Sequence, residues 1–530
     1  MKIFGILNAI LGILVYVTLS LPIQGRLTVD RLHLSSTLPL FRSGAVIDIP
    51  QQSVHDDAAF HVVAEHTAEH KLTRVNLVVN IVADLCPHGM MPLAFGLAQA
   101  GTTGWATAIT LLVLFSSMSA YTMTSYAEMS KETNAQNIGQ IWSKLIDQRT
   151  EGAVHLSVFL LCFGCCVFYS AFIGDIFTTL ASAVGLTGLL AQRWVVLLSM
   201  TLFVLLPLCL LEDLSTLKFS SLLGAGGILY TVAFHALRLW DGSYAQGSEM
   251  LQHVPAKMLA TWPRLPLTAW KINSGTLVLI NMLCVAFLAH YNAISYSEEL
   301  ENSTSQRYSS AIAVGFGLST AVFLAMMFMG YQLFGEMAQP LLLNNFPLRK
   351  DSLATLARAA TGLAITFAYP LMFTGLKASL FNIIAACNKP TGEFTQPAGD
   401  SQCSVTKGNQ STLTMHRPLS ADLSTQTKRG AVLAAVTAIT LIALQCGEED
   451  VSVVLGIVGS VLGCFVAYVL PGLLKIALHK QRALAGLRIN RWDFLLNHGL
   501  VGAGLLFGAL GVWITVKTEA DKLKFGGHGH

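Results

Sequence analysis

Between residues 76 and 516 the chain returns repeatedly to apolar stretches of about the length that crosses a bilayer, roughly 20 residues of helix. Eleven such stretches can be counted, at about 76–98, 103–127, 154–184, 193–211, 217–239, 275–296, 308–334, 354–378, 430–446, 451–478 and 494–516. A bilayer core offers no water to unpaired peptide groups, so these stretches are predicted to be helices that satisfy their own backbone. The expected class is an all-α membrane protein with eleven transmembrane helices. Composition agrees, with 53% hydrophobic and only 12% charged residues. A net charge of +3 spread over many loops gives no support to nucleic-acid binding.

The rest of the chain divides around this block. Residues 1–70 read as a signal-like start followed by a mostly disordered tail, 71–516 as the transmembrane domain, and 517–530 as a C-terminal tail. The apolar run 3–21 after Lys2 fits a cleaved signal, a signal anchor, an extra span or a misassigned start. Lys and Arg concentrate before the first span and in the loops that join even to odd spans, which predicts that the first span begins inside the cell and the C-terminus lies outside. A cleaved signal would invert that order. The inner loop 388–428, rich in Ser, Thr and Gln, reads as a flexible and regulatory connector.

The first span is unlike the others. The run RVNLVVNIVADLCPHGMMPLAFGLAQAG, 74–101, carries Asp84, Pro87, His88, Gly89 and Pro92 at mid-depth. Proline lacks an N–H and clashes with the preceding turn, so Pro87 and Pro92 are expected to unwind the helix around Gly89. Freed backbone at membrane depth survives where it lines a cavity or binds something, and such breaks hold substrates and coupling ions in secondary transporters. Asp84 and His88, one turn apart, can share a proton or a cation. Further polar groups occur within spans: Tyr169 and Asp175 in the third, His290 and Asn292 in the sixth, Thr361 and Thr366 before Pro370 in the eighth. His155 and His235 fall near span ends. Of the ten cysteines, Cys86, Cys162, Cys165, Cys166, Cys209, Cys284 and Cys464 lie in apolar spans, where thiols pack as small hydrophobes; neither a disulfide framework nor a metal site is expected.

At these positions the chain resembles the amino acid/auxin permease family, and within it the sodium-coupled neutral amino acid transporters. The resemblance rests on Asn80, PHG at 87–89 and MPLAFGLAQAG at 91–101; on Tyr169, Gly174 and Asp175; on Phe287, His290, Tyr296, Glu299 and Leu300, followed by GYQLFGEMAQPLLLNNFP; and on Arg358, Thr366 and Pro370. It implies a five-plus-five inverted repeat of spans 1–5 and 6–10 with a peripheral eleventh helix, and secondary active transport of an amino acid of the neutral class, coupled to sodium or protons by alternating access. By this resemblance substrate binding falls to Asp84, Pro87, His88, Gly89, Met90, His290 and Asn292, and ion binding to Asn80, Ala83 and Thr366. The chain departs from the pattern where Pro87 and His88 occupy the Gly-x-Gly break, where Ala83 falls at the family's sodium-site asparagine, and where Ala368 replaces the second hydroxyl of the eighth span.

The expected partners are therefore a small-molecule amino acid and the lipid bilayer, with no nucleic acid and no cofactor beyond a sodium ion or proton, in a plasma membrane or a vacuolar/lysosomal-type membrane. The rival reading is a sensor that binds amino acid and signals through 388–428 without net transport. No HExxH or GxSxG motif points to an enzyme. The orientation carries a direct test: Asn302 and Asn409 head N-x-S/T sequons on the predicted inner side, so glycosidase treatment of protein from a glycosylating host is expected to leave its mobility unchanged, and a shift at either site inverts the topology.

Overall fold

A computed structural model describes residues 72–99, 102–211, 218–254, 268–347, 350–388, 423–446 and 456–526. The signal-like start, most of the 388–428 connector and Asn409 lie outside the described residues. Those residues form helices, with no strand beyond a single bridge between Leu72 and Leu300.

In chain order the helices are α1 (Arg74–Gly89), α2 (Leu93–Ala98), α3 (Trp105–Thr133), α4 (Ile138–Leu145), α5 (Glu151–Ala183), α6 (Arg193–Leu210), α7 (Lys218–Trp240), α8 (Ser274–Ala286), α9 (Ala293–Glu299), α10 (Ser305–Phe334), α11 (Ser352–Cys387), α12 (Thr425–Gln445), α13 (Val458–Leu484) and α14 (Arg491–Gly526). Ten stretches, with α8 and α9 counted together, are long and apolar enough to cross a membrane. The first expected span is divided into α1 and α2, of 16 and 6 residues. Burial separates an inner set from a lipid-facing one: 89% of the most apolar window of α8–α9 is inside the protein, against 22% for α14 and 17% for α6.

Two helices that meet at both ends frame the centre. At one end Leu72 donates to the Glu299 carbonyl at 2.8 Å and Glu301 donates back to Leu72 at 2.9 Å, stitching the start of α1 to the end of α9. At the other end Asn273 caps α8 and reaches the Thr102 carbonyl at 2.9 Å, while the Thr103 and Thr276 hydroxyls lie 3.2 Å apart. The chain segment α1–α2 and the segment α8–α9 therefore run antiparallel. Small residues set their closeness, since a Cβ on Gly275 would fall 2.0 Å from the Gln99 carbonyl oxygen. Around this pair, α10, α7 and α11 pack on α1, and α5 packs along α11.

The end that holds Leu72 and Glu299 is the basic end. There Lys475 pairs with Glu128 at 2.7 Å, Arg482 with Glu132, and Lys131 with the Ser303 carbonyl, tying α3 to α13 and to the α9–α10 turn. Asp175, a candidate site residue on sequence grounds, instead bonds to Arg193 of α6. Within α13 the helix widens into π turns at Val458–Gly463 and Phe465–Val469, and the Val466 carbonyl accepts from Tyr126 of α3 at 2.7 Å. The cysteines of the described residues are free thiols, most of them buried.

At the opposite end Asp351 caps α11 and takes Arg238 at 2.6 Å and Tyr244 at 3.0 Å. Burial raises the Asp351 carboxyl, but the hydrogen bonds from Arg238, the Ala354 N–H and Tyr244 outweigh it and hold the group below its ordinary value. A carboxyl held low stabilises the fold above its unfolded value, and that contribution is lost as pH falls through the folded one. Asp351→Asn, which leaves Arg238 to Asp241 and Ser243, is therefore expected to cost about 1–3 kcal/mol at neutral pH, read as a lower melting temperature in detergent. The gap to wild type should close on acidification below about pH 4; equal melting at neutral pH would remove the role.

Candidate functional site

The site grows out of two interruptions at the same depth. The helix α1 runs through Pro87 and ends at Gly89, and the break occupies Met90–Pro92. The break thus falls next to Gly89, between the two prolines as expected: Pro87 costs α1 only the bond to the Ala83 carbonyl, and Pro92 follows a helix already ending. The second break follows α8 at Phe287–Ala289, where a short 3-10 turn, His290–Asn292, leads into α9. Met90 closes α1 by donating to the Cys86 carbonyl at 3.1 Å and is fully buried.

Asp84 is fully buried and bound from the second break: Tyr291 donates to Oδ1 at 2.6 Å, Tyr296 to Oδ2 at 3.2 Å and Asn292 Nδ2 to Oδ2 at 3.4 Å. Asn292 also donates to the Leu371 carbonyl at 3.0 Å, and the Thr374 hydroxyl reaches its Oδ1 at 3.0 Å, so α11 is joined to the same network. Leu371 follows Pro370, which lies inside α11 without breaking it.

One turn beyond Asp84, His88 uses both ring nitrogens. Its Nε2 lies 3.1 Å from the Val285 carbonyl and its Nδ1 2.6 Å from the Tyr169 hydroxyl. A carbonyl only accepts, so Nε2 carries the proton and Nδ1 accepts from Tyr169. His88 thereby closes the carboxyl end of α8 and holds α5 against α1.

The remaining sequence candidates divide. Gly89 packs under an aromatic ring: a Cβ there would sit 2.4 Å from Phe323 Cζ and 3.1 Å from Ala286 Cβ, and Phe287 lies edge-on to Phe323 at 5.1 Å. His290 makes its contacts elsewhere, with Thr122 Oγ1 at 2.9 Å and the rings of Tyr126 and Tyr468. Thr366 donates to its own Gly362 carbonyl at 2.7 Å, the common use of a helical hydroxyl. Asn80 is fully buried, and among the described residues neither atom of its amide has a partner. Ala83 is buried beside it. Asn80, Asp84 and His88 recur every four residues and so share a face of α1.

Sequence reasoning missed Tyr291 as a partner of Asp84, although a tyrosine inside a broken span is itself a signal. Among the described residues no group of His, Cys, Asp and Glu could hold a metal ion.

Comparison with known proteins places this geometry in context. Residues 70–517 match the family described as transmembrane amino acid transporter protein. Vacuolar amino acid transporter 6 of Saccharomyces cerevisiae is 22% identical over 72% of this chain and 84% of its own length. Vacuolar amino acid transporter 7 of the same yeast is 27% identical, over only 43% of each chain. Sodium-coupled neutral amino acid transporter 7 of Bos taurus is 20% identical over 82% of this chain and 83% of its own. Among solved structures, that of Mhp1, a nucleobase-cation-symport-1 family transporter in a closed conformation, superimposes with a TM-score of 0.51 at 10% identity over 85% of this chain and 94% of the other. At that identity the likeness is one of fold.

The Gly89–Phe323 contact makes a paired prediction. Gly89→Ala must displace the Phe323 ring and is expected to lower any substrate binding or uptake by about tenfold, the equivalent of roughly 1.4 kcal/mol, while Gly89→Ala with Phe323→Ala recovers much of it. Equal activity of Gly89→Ala and wild type would show that the close approach has no part in the site.

Proposed function

Because the chain belongs to the transmembrane amino acid transporter family, we propose that it is a secondary active transporter that moves amino acids, neutral ones by preference, across a plasma or vacuolar-type membrane by alternating access, coupled to sodium or protons. The observation that carries this reading is the pair of breaks joined across Asp84 and His88. In soluble proteins such breaks are incidental, but at membrane depth they are costly and concentrate at sites of binding.

On this reading α1–α2 is the first span and brings the ten long apolar stretches to eleven, and the two halves of the bundle repeat in inverted sense. Support comes from the lengths: a 16-residue helix, a break and a 6-residue helix in the first span, against 13 residues, a break and a 7-residue helix in the sixth. The substrate is read to lie between the breaks, against Gly89, Met90, His88 and Asn292, with Phe323 and Phe287 moving aside to admit it.

The ion site is read along α1 and α11. Pro87 leaves the Ala83 carbonyl without its helical donor, and Pro370 does the same for Thr366; the two helices pack on each other. Both freed oxygens belong to residues singled out for the ion. A buried amide without a partner costs about 1–3 kcal/mol, and Asn80 would regain that by turning its oxygen to a bound cation. Sodium-coupled relatives favour sodium, and the carboxylate at Asp84 favours the proton.

Proteoliposomes holding the full chain and a mixture of radiolabelled L-amino acids decide the matter. Accumulation above equilibrium is expected under an imposed sodium or proton gradient, and the absence of gradient-driven uptake of any amino acid would defeat the transporter reading.

A further inference from the structure

We infer that Asp84 is the group that carries the coupling proton, and that it exchanges this proton with the basic end of the molecule through a small cavity that ends on Tyr291. The inference rests on the transport reading above and adds to it the identity of the coupling ion and the route it takes.

The first observation is what surrounds Asp84. The side chains facing it from the packed elements are Tyr291, Asn292 and Tyr296 from the second break, Tyr169, Cys162 and Cys165 from α5, and His88 on its own helix. Among the described residues no Lys or Arg pairs with it. Three neutral donors hold a carboxylate whose charge nothing balances, at a depth where an unbalanced charge is expensive. The arrangement fits the anion. A proton arriving on Oδ1 or Oδ2 turns that oxygen from acceptor to donor, so the hydroxyl of Tyr291 or Tyr296 has to reverse or let go. Protonation therefore rearranges the contact between α1 and the second break, so that the proton on Asp84 is read by the residues that frame the site.

The second observation is a way in. A cavity of about 60 Å³ opens toward the basic end and is lined by Asn137, His155, Tyr291, Ser295, Ser379 and Asn382, among others. That volume admits one or two waters. Tyr291 is common to both features: it borders the cavity, and its hydroxyl donates to Asp84 at 2.6 Å. At the cavity's outer part His155 lies 3.6 Å from Glu151, which reaches solvent. Water in the cavity can thus hand a proton toward the Tyr291 hydroxyl as Tyr291 passes its own to Asp84; the return step runs in reverse, with an O–H bond formed on one oxygen as one breaks on the next.

The third observation removes the alternative. His88, the residue of the first span most readily associated with a proton, has its Nε2 on the Val285 carbonyl and its Nδ1 on Tyr169. It has no lone pair left to offer. His88 acts as a positioning residue for the breaks.

The test uses the full-length protein in proteoliposomes with a mixture of radiolabelled L-amino acids and two readouts. Counterflow, which needs no gradient, reports transport itself; accumulation under an imposed proton gradient reports coupling. Wild type is expected to show both. Asp84→Asn is expected to keep counterflow at a reduced rate, to lose proton-driven accumulation by at least about tenfold, and to have a flat pH profile across the range where a coupling carboxyl would titrate. Asp84→Glu restores a carboxyl and is expected to restore pH dependence with a displaced midpoint, which separates proton transfer from misfolding. Ser379→Leu, which fills the cavity, should slow proton-driven accumulation more than counterflow. The inference is overturned if Asp84→Asn accumulates substrate with an unchanged pH profile, if Asp84→Glu shows no pH dependence, if His88→Ala alone flattens the profile, or if wild type accumulates under sodium but not under protons. Absence of counterflow in wild type defeats the transport reading itself, and the inference with it.

Discussion

A peptide group in the middle of a bilayer has to be hydrogen-bonded by the protein, and everything at the centre of this molecule follows from the places where its helices stop providing those bonds. The segments α1–α2 and α8–α9 each break at mid-depth. Each break is then closed by side chains of the other segment or of a helix packed on it. His88 takes up the Val285 carbonyl at the end of α8, and Asn292 takes up the Leu371 carbonyl of α11. Asp84 gathers the hydroxyls that the second break turns inward. Polar residues that look misplaced in an apolar span are thus the partners that make interrupted helices tolerable.

The surrounding helices hold the breaks in register by a different kind of contact. On α11, Gly362 admits Ile176 and Phe177, and Gly375 admits Tyr291 and Cys162, at approaches a Cβ would block. Glycine here is used for close approach between helix faces, the usual device where lipid removes the hydrophobic drive for association. At the basic end the links are ionic, with Glu128 and Glu132 of α3 held by Lys475 and Arg482 of α13. The described residues therefore combine ion pairs at the basic end, interdigitated small and large residues between helices, and a network of side-chain hydrogen bonds at the breaks.

How much of this could be read from the chain itself depended on whether the signal was local. Hydropathy over a window is local, and the stretches read at 308–334 and 354–378 became Ser305–Phe334 and Ser352–Cys387, extended by amphipathic turns that hydropathy undervalues. The division of the first span, and its place beside Gly89, were legible from its prolines, and the helix carries on through Pro87 because only one carbonyl there loses its donor. Asp84 and His88 stood out as ionisable groups at depth, while their partners did not: nothing in the spacing of a chain says that residue 84 meets residue 291. The same blindness placed His290 in the site, when its ring nitrogen bonds Thr122, and left Asp175 open, when Arg193 lies beside it. The family resemblance supplied the long-range order that the residues could not, and the match over 70–517 bears it out.

The two kinds of contact differ in how readily they can be undone, and this decides where the molecule can divide. Separating α5 from α11 would expose apolar faces and open voids beneath glycines, with no substitute contact to offset the loss. At mid-depth, α1 meets the second break and α9 through hydrogen bonds from Tyr291, Asn292 and Tyr296 to one carboxylate. Each such bond to a charged acceptor is worth about 1.5–3 kcal/mol, but water or another polar group can take its place. A small cavity already brings water-sized space to Tyr291. The contacts around Asp84 are therefore ones that a proton, a substrate ammonium or an entering water could remake, whereas the packed faces of α5 and α11 have no such substitute.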